Sequence, residues 1–289
     1  MTKNWISKNQ TDYEGGGRET KKELTAAEKA KPYAKYFYQP MVPPPRETME
    51  ILSRGPIDSA LSLPIHRRND MLNPGNLPAE RGYCMMPDGS GFVAMVTRMP
   101  GVTSEMINWW FAWHGLESLR YKIWDPEEHL GVRVLEKDLK RRLDTRLNTR
   151  ERNWGTTDVV DEDVGTGSVV LYISFLSPED YGYDMNQFTA PNVLTAINAN
   201  SGLMEPRTPF ITFFHVAREI PGGIELRSRF WLGWNIVDKK PVRVVDQVPF
   251  ELVKGLAHHC PKEYTNLAVI LPNVYQENVD VIDRIEDFR

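Results

Sequence analysis

Three apolar segments follow one another in the second half of the chain and constrain the fold more than any other feature. They are SVVLYISFL (168–176), PFITFFHVAR (209–218) and GIELRSRFWLGW (223–234). Their β-branched and aromatic residues favour strands. A long helical pattern that begins VPFELVKGLAHHC then leads toward the C-terminus. Because strands and helices do not alternate regularly, we predict an α+β fold in which an antiparallel sheet packs against a late helix.

Earlier segments add one strand and two helices to this prediction. GFVAMVTRM (91–99) alternates in the manner of a strand. Thr103 or Ser104 can cap a helix that carries the tryptophan-rich segment up to residue 114. Leucines spaced four apart predict an amphipathic helix over 136–150.

The first 78 residues differ in composition from the rest. Residues 1–30 are polar, contain three consecutive glycines and are predicted to be disordered. Residues 31–78 are expected to form a small helical and irregular region, with short helices over 46–52 and 58–61. The remaining residues, 79–289, are expected to form the main domain.

Composition excludes several classes of protein. Lys plus Arg is 35 and Asp plus Glu is 39, so the net charge is −4, which argues against a nucleic-acid-binding protein. Two cysteines are too few for a disulfide scaffold or a four-cysteine metal site, and a reducing cytoplasm is expected. No apolar run is long enough to span a bilayer, and the N-terminus lacks the apolar core of a signal peptide. Phosphate-binding glycine motifs, GxSxG and HExxH are all missing from the sequence.

The segment HHCPKEY offers the sharpest local pattern for chemistry. His259 and Glu263 are four residues apart, so on a helix they project from one face and could bind a first-row metal. His258 would face Lys262, a cation that cannot share a metal. The alternative is an ordinary surface pair, and Pro261 is expected to kink or restart the helix.

Three further candidates for chemistry lie elsewhere. WDPEEHLG (124–131) and VVDEDVG (159–165) each cluster acids, which in loops are usually only solvated. His215 shares a strand face with apolar residues. A lone buried histidine of this kind is more often a hydrogen-bonded core residue than a catalyst.

Several segments together carry a resemblance to a known family. They are KPYAKYFYQP, GYCMMPDGSGFVAMVTRMPGVTSEMINWWFAWHG, LRYKIWDPEEH, VVDEDVG and AHHCPKEYTNL, in that order. From about residue 30 to residue 270 the chain resembles the diacetylphloroglucinol hydrolase and phloretin hydrolase family. The resemblance implies a Bet v 1-like helix-grip fold, in which an antiparallel sheet surrounds a long C-terminal helix, with a smaller helical N-terminal part. It also implies a homodimer and a bound Zn²⁺.

The resemblance assigns the Zn²⁺ to two histidines and two glutamates. These ligands are His129, Glu162, His259 and Glu263. Asp161 and Asp163 are the alternatives to Glu162, because they point to the opposite face of an extended segment. His114 is the alternative to His129, and could instead hold the tryptophan cluster or a dimer contact.

Two further residues are implied to act in catalysis. Tyr121 and His215 match a tyrosine before the first ligand and a histidine on a central strand of the family. The expected activity is that of a hydrolase acting on carbon–carbon bonds in ketonic substances. It would cleave an acylphenol such as phloretin or mono- or diacetylphloroglucinol into a carboxylic acid and the deacylated phenol. Val132 stands where some members carry an amide, which favours phloretin.

Two other functions fit the same residues. One is a non-catalytic helix-grip protein that binds a hydrophobic aromatic ligand. The other is a different metal-dependent reaction, for which mixed histidine and carboxylate ligands would also suit Fe²⁺.

A homodimer is also predicted from the tryptophan-rich helix over 104–114. This helix carries more aromatic surface than one helix face normally buries, and exposed apolar patches usually mark an interface. The alternative is that its tryptophans lie in the core of the monomer.

Overall fold

Eight strands form one antiparallel sheet in the computed structural model, which describes residues 23–163 and 167–288. The strands of the sheet are β1 (Gly82–Met85), β2 (Gly91–Pro100), β3 (His129–Val134), β4 (Thr157–Glu162), β5 (Val169–Leu176), β6 (Thr195–Leu203), β7 (Thr208–Ile220) and β8 (Gly223–Leu232). Their order across the sheet is β1-β2-β8-β7-β6-β5-β4-β3. A separate hairpin consists of β9 (Trp234–Val237) and β10 (Lys240–Arg243).

Seven α-helices accompany the sheet in the described part of the chain. They are α1 (Ala26–Lys29), α2 (Arg46–Ser53), α3 (Ser104–Trp113), α4 (Ser118–Lys122), α5 (Glu136–Arg142), α6 (Thr149–Asn153) and α7 (Phe250–Asn278). Short 3₁₀ helices cover Pro32–Tyr38, Ser59–Leu61, Ile65–Leu72, His114–Leu116, Met185–Gln187 and Ile285–Phe288. None of these helices is both long enough and apolar enough to cross a membrane.

The long helix α7 packs on the inner face of the sheet, most closely over β2. Its buried side chains recur every three or four residues, for example Val253, Leu256, Cys260 and Leu267, and they join the main core. At Gly91 a Cβ atom would lie 2.4 Å from Val253, so only glycine allows this close approach. The predicted helix-grip fold is therefore confirmed.

The outer face of the sheet is buried as well. Side chains alternate along β7, so that Phe213 joins the inner core while Phe214 joins a second core on the outer face. The 3₁₀ helix Ile65–Leu72 covers this second core with Ile65 and Met71. Because both faces are covered, β5 and β7 are rich in apolar residues along most of their length, which made them visible in the sequence.

Several predicted elements are confirmed and several were missed. The strands predicted over 168–176 and 209–218 correspond to β5 and β7. The segment 223–234 ends earlier than expected, because Gly233 has a φ of +94° and separates β8 from β9. The missed strands are β1, β3, β4, β6, β9 and β10. The disorder predicted for residues 1–30 falls mainly on residues outside the described part, and the boundary near residue 78 stays a prediction.

The single helix predicted over 136–150 is wrong. Helix α5 ends at Arg142, and Leu143 has a non-helical backbone conformation. The chain then turns, and Asn148 caps α6 by accepting a hydrogen bond from the backbone of Glu151. The capping asparagine favours a helix start over a helix interior, which explains why α6 begins after residue 148.

The helix restart that Pro261 was expected to cause does not occur, while the alternative expectation of a kink stays a prediction. Helix α7 continues through Pro261 and Pro272 as one element of 29 residues. Packing against the sheet along the whole buried stripe compensates for the lost backbone donors.

The tryptophan-rich helix has the predicted position but not the predicted exposure. Thr103 caps α3 by accepting a hydrogen bond from the backbone of Met106. Trp109, Trp110 and Trp113 are 7%, 0% and 4% exposed. They pack against each other and against side chains such as Tyr275 on α7. The aromatic surface proposed for a dimer contact therefore lies in the core of the monomer.

Glu80, which lies just before β1, forms ion pairs with two arginines on the outer face of β8. Its carboxylate accepts hydrogen bonds from Arg227 at 2.5 Å and from Arg229 at 2.8 Å, and both arginines are buried. Burial alone would raise the pKa of Glu80, but the two guanidinium groups lower it to about 2.

We predict that Glu80→Gln lowers the free energy of unfolding by about 3 kcal/mol at neutral pH, since it leaves two buried cations without their partner. Because the folded pKa of about 2 lies below the ordinary value of 4.5, the stabilisation is present above pH 4.5 and is lost as the pH falls toward 2. Denaturant titrations at both ends of this range measure it. Glu47→Gln is the control, because Glu47 is exposed and pairs with Arg81 at 3.6 Å. Equal losses in both variants would contradict the prediction.

Candidate metal centre

An apolar cavity lies between the inner face of the sheet and α7. Strands β5, β7 and β8 line it with side chains such as Leu171, Phe213 and Phe230, and α7 adds Leu252 and Leu256. Glu162, His259 and Glu263 also line it, with Tyr121 bonded to Glu162, and these residues define its polar end. His114, Asp158 and His215 are further polar residues of the lining.

The backbone brings two histidines and two glutamates together at the polar end. His129 begins β3 and Glu162 ends β4, and the two are cross-strand partners, so their side chains share one face of the sheet. His259 and Glu263 lie one turn apart on α7. Nε2 of His129 is 3.6 Å from a carboxylate oxygen of Glu263 and 4.0 Å from one of Glu162. Nε2 of His259 is 3.8 Å from the same oxygen of Glu263.

His129 is held with one nitrogen facing this cluster. Its Nδ1 lies 3.1 Å from the carbonyl oxygen of Tyr121. Its ring stacks on the Tyr121 ring, with 3.9 Å between the two ring centroids. Since a carbonyl oxygen only accepts, Nδ1 carries the proton and Nε2 has a free lone pair. Within the described part of the chain this buried Nε2 has no hydrogen-bond partner.

His259 is oriented by an acid that the sequence did not single out. Its Nδ1 lies 2.5 Å from a carboxylate oxygen of Glu128, so its Nε2 faces Glu263. Lys262 approaches the other oxygen of Glu128 at 2.7 Å. Asp125, which is fully buried, lies beside the same lysine at 3.5 Å. Glu128 belongs to the WDPEEH cluster, but its spacing to His259 gives no signal, because 131 residues separate them.

Tyr121 donates a hydrogen bond to Glu162 at the edge of the centre. Burial and the Glu162 charge raise the pKa of Tyr121 well above its ordinary value, so the hydroxyl keeps its proton. The two alternatives to Glu162 are engaged elsewhere: Asp161 accepts from Ser168, and Asp163 accepts from the backbone of Gly167.

His114 and His215 line the same cavity outside the four-residue cluster. Nδ1 of His114 lies 2.8 Å from the carbonyl oxygen of Trp110, and its ring packs among aromatic rings. Nδ1 of His215 lies 2.7 Å from the hydroxyl of Ser228, and its ring contacts Tyr264. Burial lowers the pKa of both imidazoles to about 3, so both are neutral.

The pKa values of the four clustered side chains are shifted from their ordinary values. Burial lowers the pKa of His129 well below its ordinary value. Burial alone would lower the pKa of His259 too, but the facing carboxylates, Glu263 above all, raise it to about 10. Burial raises the pKa of both Glu162 and Glu263. Such a set of buried, mutually close acids calls for a positive charge among them.

The donor atoms fit a metal ion in kind and spacing. Ligand atoms of His129, Glu162 and His259 lie within 4.8 Å of one another. Zn²⁺ ligands at 2.0–2.2 Å in a tetrahedron would be roughly 3.3–3.6 Å apart. The measured separations of 3.6–4.0 Å therefore need only small side-chain movements. Two imidazoles and two carboxylates are a donor set suited to Zn²⁺.

Val132 does not line the cavity, although its position in the sequence indicated that it would. It is 7% exposed and packs in the main core, while the neighbouring strand supplies Val160 to the cavity lining. The preference for phloretin that was drawn from Val132 therefore has no support at this position.

The sequence of this chain is similar to a known protein family and to named hydrolases. Residues 63–276 match a family model described as the DAPG hydrolase PhiG domain. A phloretin hydrolase from Eubacterium ramulus is 36% identical over 264 residues, which cover 88% of this chain and 92% of that protein. A 2,4-diacetylphloroglucinol hydrolase from a Pseudomonas species is 30% identical over 267 residues, covering 87% and 90%.

A distant similarity to a solved structure is seen as well. The crystal structure of Ara h 8.0201 has a TM-score of 0.37 and 9% identity, and the alignment covers 66% of this chain and all of that one.

Proposed function

This chain belongs to the DAPG hydrolase family, and from that premise we propose that it is a metal-dependent enzyme that cleaves acylphenols at the carbon–carbon bond between ring and acyl group. Family membership confirms the expectation of a hydrolase. The observation that carries the metal proposal is the buried, unpaired Nε2 of His129, which faces two glutamates inside an apolar cavity. A protein that only bound a hydrophobic ligand would gain nothing from this costly arrangement.

We assign four residues to the metal, which we propose to be Zn²⁺. The ligands would be Nε2 of His129, Nε2 of His259 and the carboxylates of Glu162 and Glu263. When bound, Zn²⁺ supplies polarisation of a carbonyl oxygen and a lowered pKa for a water molecule.

The reaction that we propose begins with tautomerisation of the phenol. The ring carbon that bears the acyl group takes up a proton while the adjacent hydroxyl becomes a carbonyl. Water then adds to the acyl carbon, the bond to the ring breaks, and its electron pair flows into the ring carbonyl. Protonation of that oxygen restores the phenol, so one water molecule is consumed and a carboxylic acid is released.

Tyr121 and His215 are the residues that we propose to handle these protons. The Tyr121 hydroxyl stays protonated and lies beside Glu162, where it can orient a ring hydroxyl. His215 is neutral in the cavity, held by Ser228, and can pass a proton between the phenolic oxygen and the ring carbon.

Phloretin is the substrate that we propose among the acylphenols. The long apolar part of the cavity suits an aryl-propanoyl group better than a short acetyl group. The higher identity to the phloretin hydrolase, 36% against 30%, agrees with this choice. The homodimer and the cytoplasmic location stay predictions, and the dimer now rests on the family resemblance alone.

We predict one Zn²⁺ per chain, lost on substitution of a ligand. His259→Ala should weaken zinc binding by at least about 100-fold, since even outer-shell partners are worth 10–100-fold. His258→Ala is a matched control, because His258 is the neighbouring residue and is directed away toward the carbonyl oxygen of Lys254. Elemental analysis of both purified variants gives the measurement, and equal zinc content in the two would refute the ligand assignment.

We predict that Tyr121→Phe and His215→Ala keep the metal and lower kcat by about 100-fold or more, as expected for lost proton-transfer groups. Steady-state kinetics on phloretin, with zinc content measured in parallel, checks this. Full activity in both variants would show that the two residues are only structural. Tyr83→Phe serves as a control, since Tyr83 packs against Phe250 and His258.

We predict that the substrate requires a free hydroxyl ortho to the acyl group. On a ring without a para hydroxyl, methylation or removal of every ortho hydroxyl should lower kcat/KM by about 1,000-fold or more, because the ring carbon can then no longer be protonated through a keto tautomer. A substrate panel assayed by product chromatography measures this. Unchanged turnover of the methylated substrate, or equally fast hydrolysis of simple aryl esters, would contradict the carbon–carbon mechanism.

A further inference from the structure

We propose that Glu128 is a positioning residue for the metal centre, acting through His259. On this view the loop 125–129 supplies one metal ligand, His129, and orients a second one on α7. The inference rests on the proposed metal site and adds a residue outside the ligand set.

Hydrogen bonds to its backbone fix the loop that carries Glu128. The side chain of Asp125, which is fully buried, accepts hydrogen bonds from the backbone of Glu127 at 3.0 Å and of Glu128 at 3.1 Å. The carbonyl oxygen of Glu128 accepts from the backbone of Asp163 at 2.9 Å, next to Glu162. Glu128 and His129 therefore leave one fixed loop toward the same centre, one as an orienting group and one as a ligand.

The contact with His259 determines which imidazole nitrogen is free. A carboxylate oxygen of Glu128 lies 2.5 Å from Nδ1 of His259, and an ionised carboxylate only accepts. Nδ1 must then carry a proton, so once the ring is neutral its lone pair lies on Nε2, the nitrogen that faces Glu263 at 3.8 Å. Without this acceptor the ring could take the other tautomer or turn away from the centre.

Lys262 fixes the orienting carboxylate in turn. It lies 2.7 Å from the second oxygen of Glu128, and it is three residues after His259 on the same helix. Helix α7 thus presents both the histidine and the cation that holds the acid behind it. Both oxygens of Glu128 are engaged, and its side chain is only 25% exposed.

Glu127 provides a matched comparison within the same loop. It contacts the same lysine at 3.0 Å but is 53% exposed. Among the described residues it has no ion pair with either ligand histidine. Substituting either glutamate by glutamine removes one negative charge near Lys262, but only the substitution of Glu128 replaces the ionised acceptor that faces His259 with a neutral amide.

The test compares zinc affinity in Glu128→Gln, Glu128→Asp and Glu127→Gln. Metal-free wild type and variants are titrated with Zn²⁺ against a chromophoric chelator, and Co²⁺-loaded samples are compared by visible absorption. We expect Glu128→Gln to bind zinc 10–100-fold more weakly and to show an altered cobalt spectrum. Glu128→Asp should recover part of the affinity, and Glu127→Gln should stay within about twofold of wild type. Thermal unfolding of the metal-free proteins verifies that each variant is folded.

The outcomes separate this proposal from the proposed function. Wild-type zinc affinity and spectrum in folded Glu128→Gln would overturn the role of Glu128 while leaving the ligand set intact. An equal loss in Glu127→Gln would also overturn it, since the effect would then be one of net charge. Failure of the wild type to bind zinc would overturn the metal site itself. A protein that binds zinc as expected but cleaves no acylphenol would contradict only the proposed reaction.

Discussion

Two histidines and two glutamates share the apolar interior between the sheet and α7, where little water is available to solvate a charge. Burying a carboxylate without a partner costs several kcal/mol, and two adjacent carboxylates also repel each other. The contacts around Glu162 and Glu263 counter this cost only in part, since Tyr121 donates to one of them and His259 faces the other. A divalent cation at this position would compensate the remaining charge. The fold therefore places acids where a bound cation would stabilise their charged forms.

The rest of the architecture can be understood as the scaffold for this centre. Cross-strand pairing of β3 with β4 places His129 beside Glu162, and one helical turn places His259 beside Glu263. The two pairs meet only because α7 crosses the sheet closely, which Gly91 permits. A displacement of α7 along the sheet would separate the pairs, so the packing of the long helix and the geometry of the centre depend on each other.

Sequence analysis identified the parts of this centre that follow local rules. The spacing of His259 and Glu263 on a helix is visible in the sequence, and the family resemblance supplied His129 and Glu162, which the structure places together. Glu128 was missed because its partner is 131 residues away, and no periodicity relates them. The exposure of the tryptophan-rich helix was mispredicted for the same reason: its aromatic face is covered by residues such as Tyr275, which belong to distant elements. The break after Arg142 was missed, although the start of the second helix has a local signal in the helix-capping Asn148.

The division of the cavity into a polar and an apolar part constrains how an acylphenol could bind. In the proposed mechanism the acyl carbon lies near the four-residue cluster, which would hold the metal. A ring hydroxyl ortho to the acyl group then falls near Tyr121, whose hydroxyl lies beside Glu162. The far end of the acyl chain must extend along β5, β7 and β8, where the lining is apolar. An acyl group that ends in an aromatic ring buries more apolar surface there than an acetyl group, and each additional buried methylene contributes about 0.8 kcal/mol. Chain length at the apolar end and hydroxyl position at the polar end therefore act on separate parts of the site, so selectivity for the two features can vary independently.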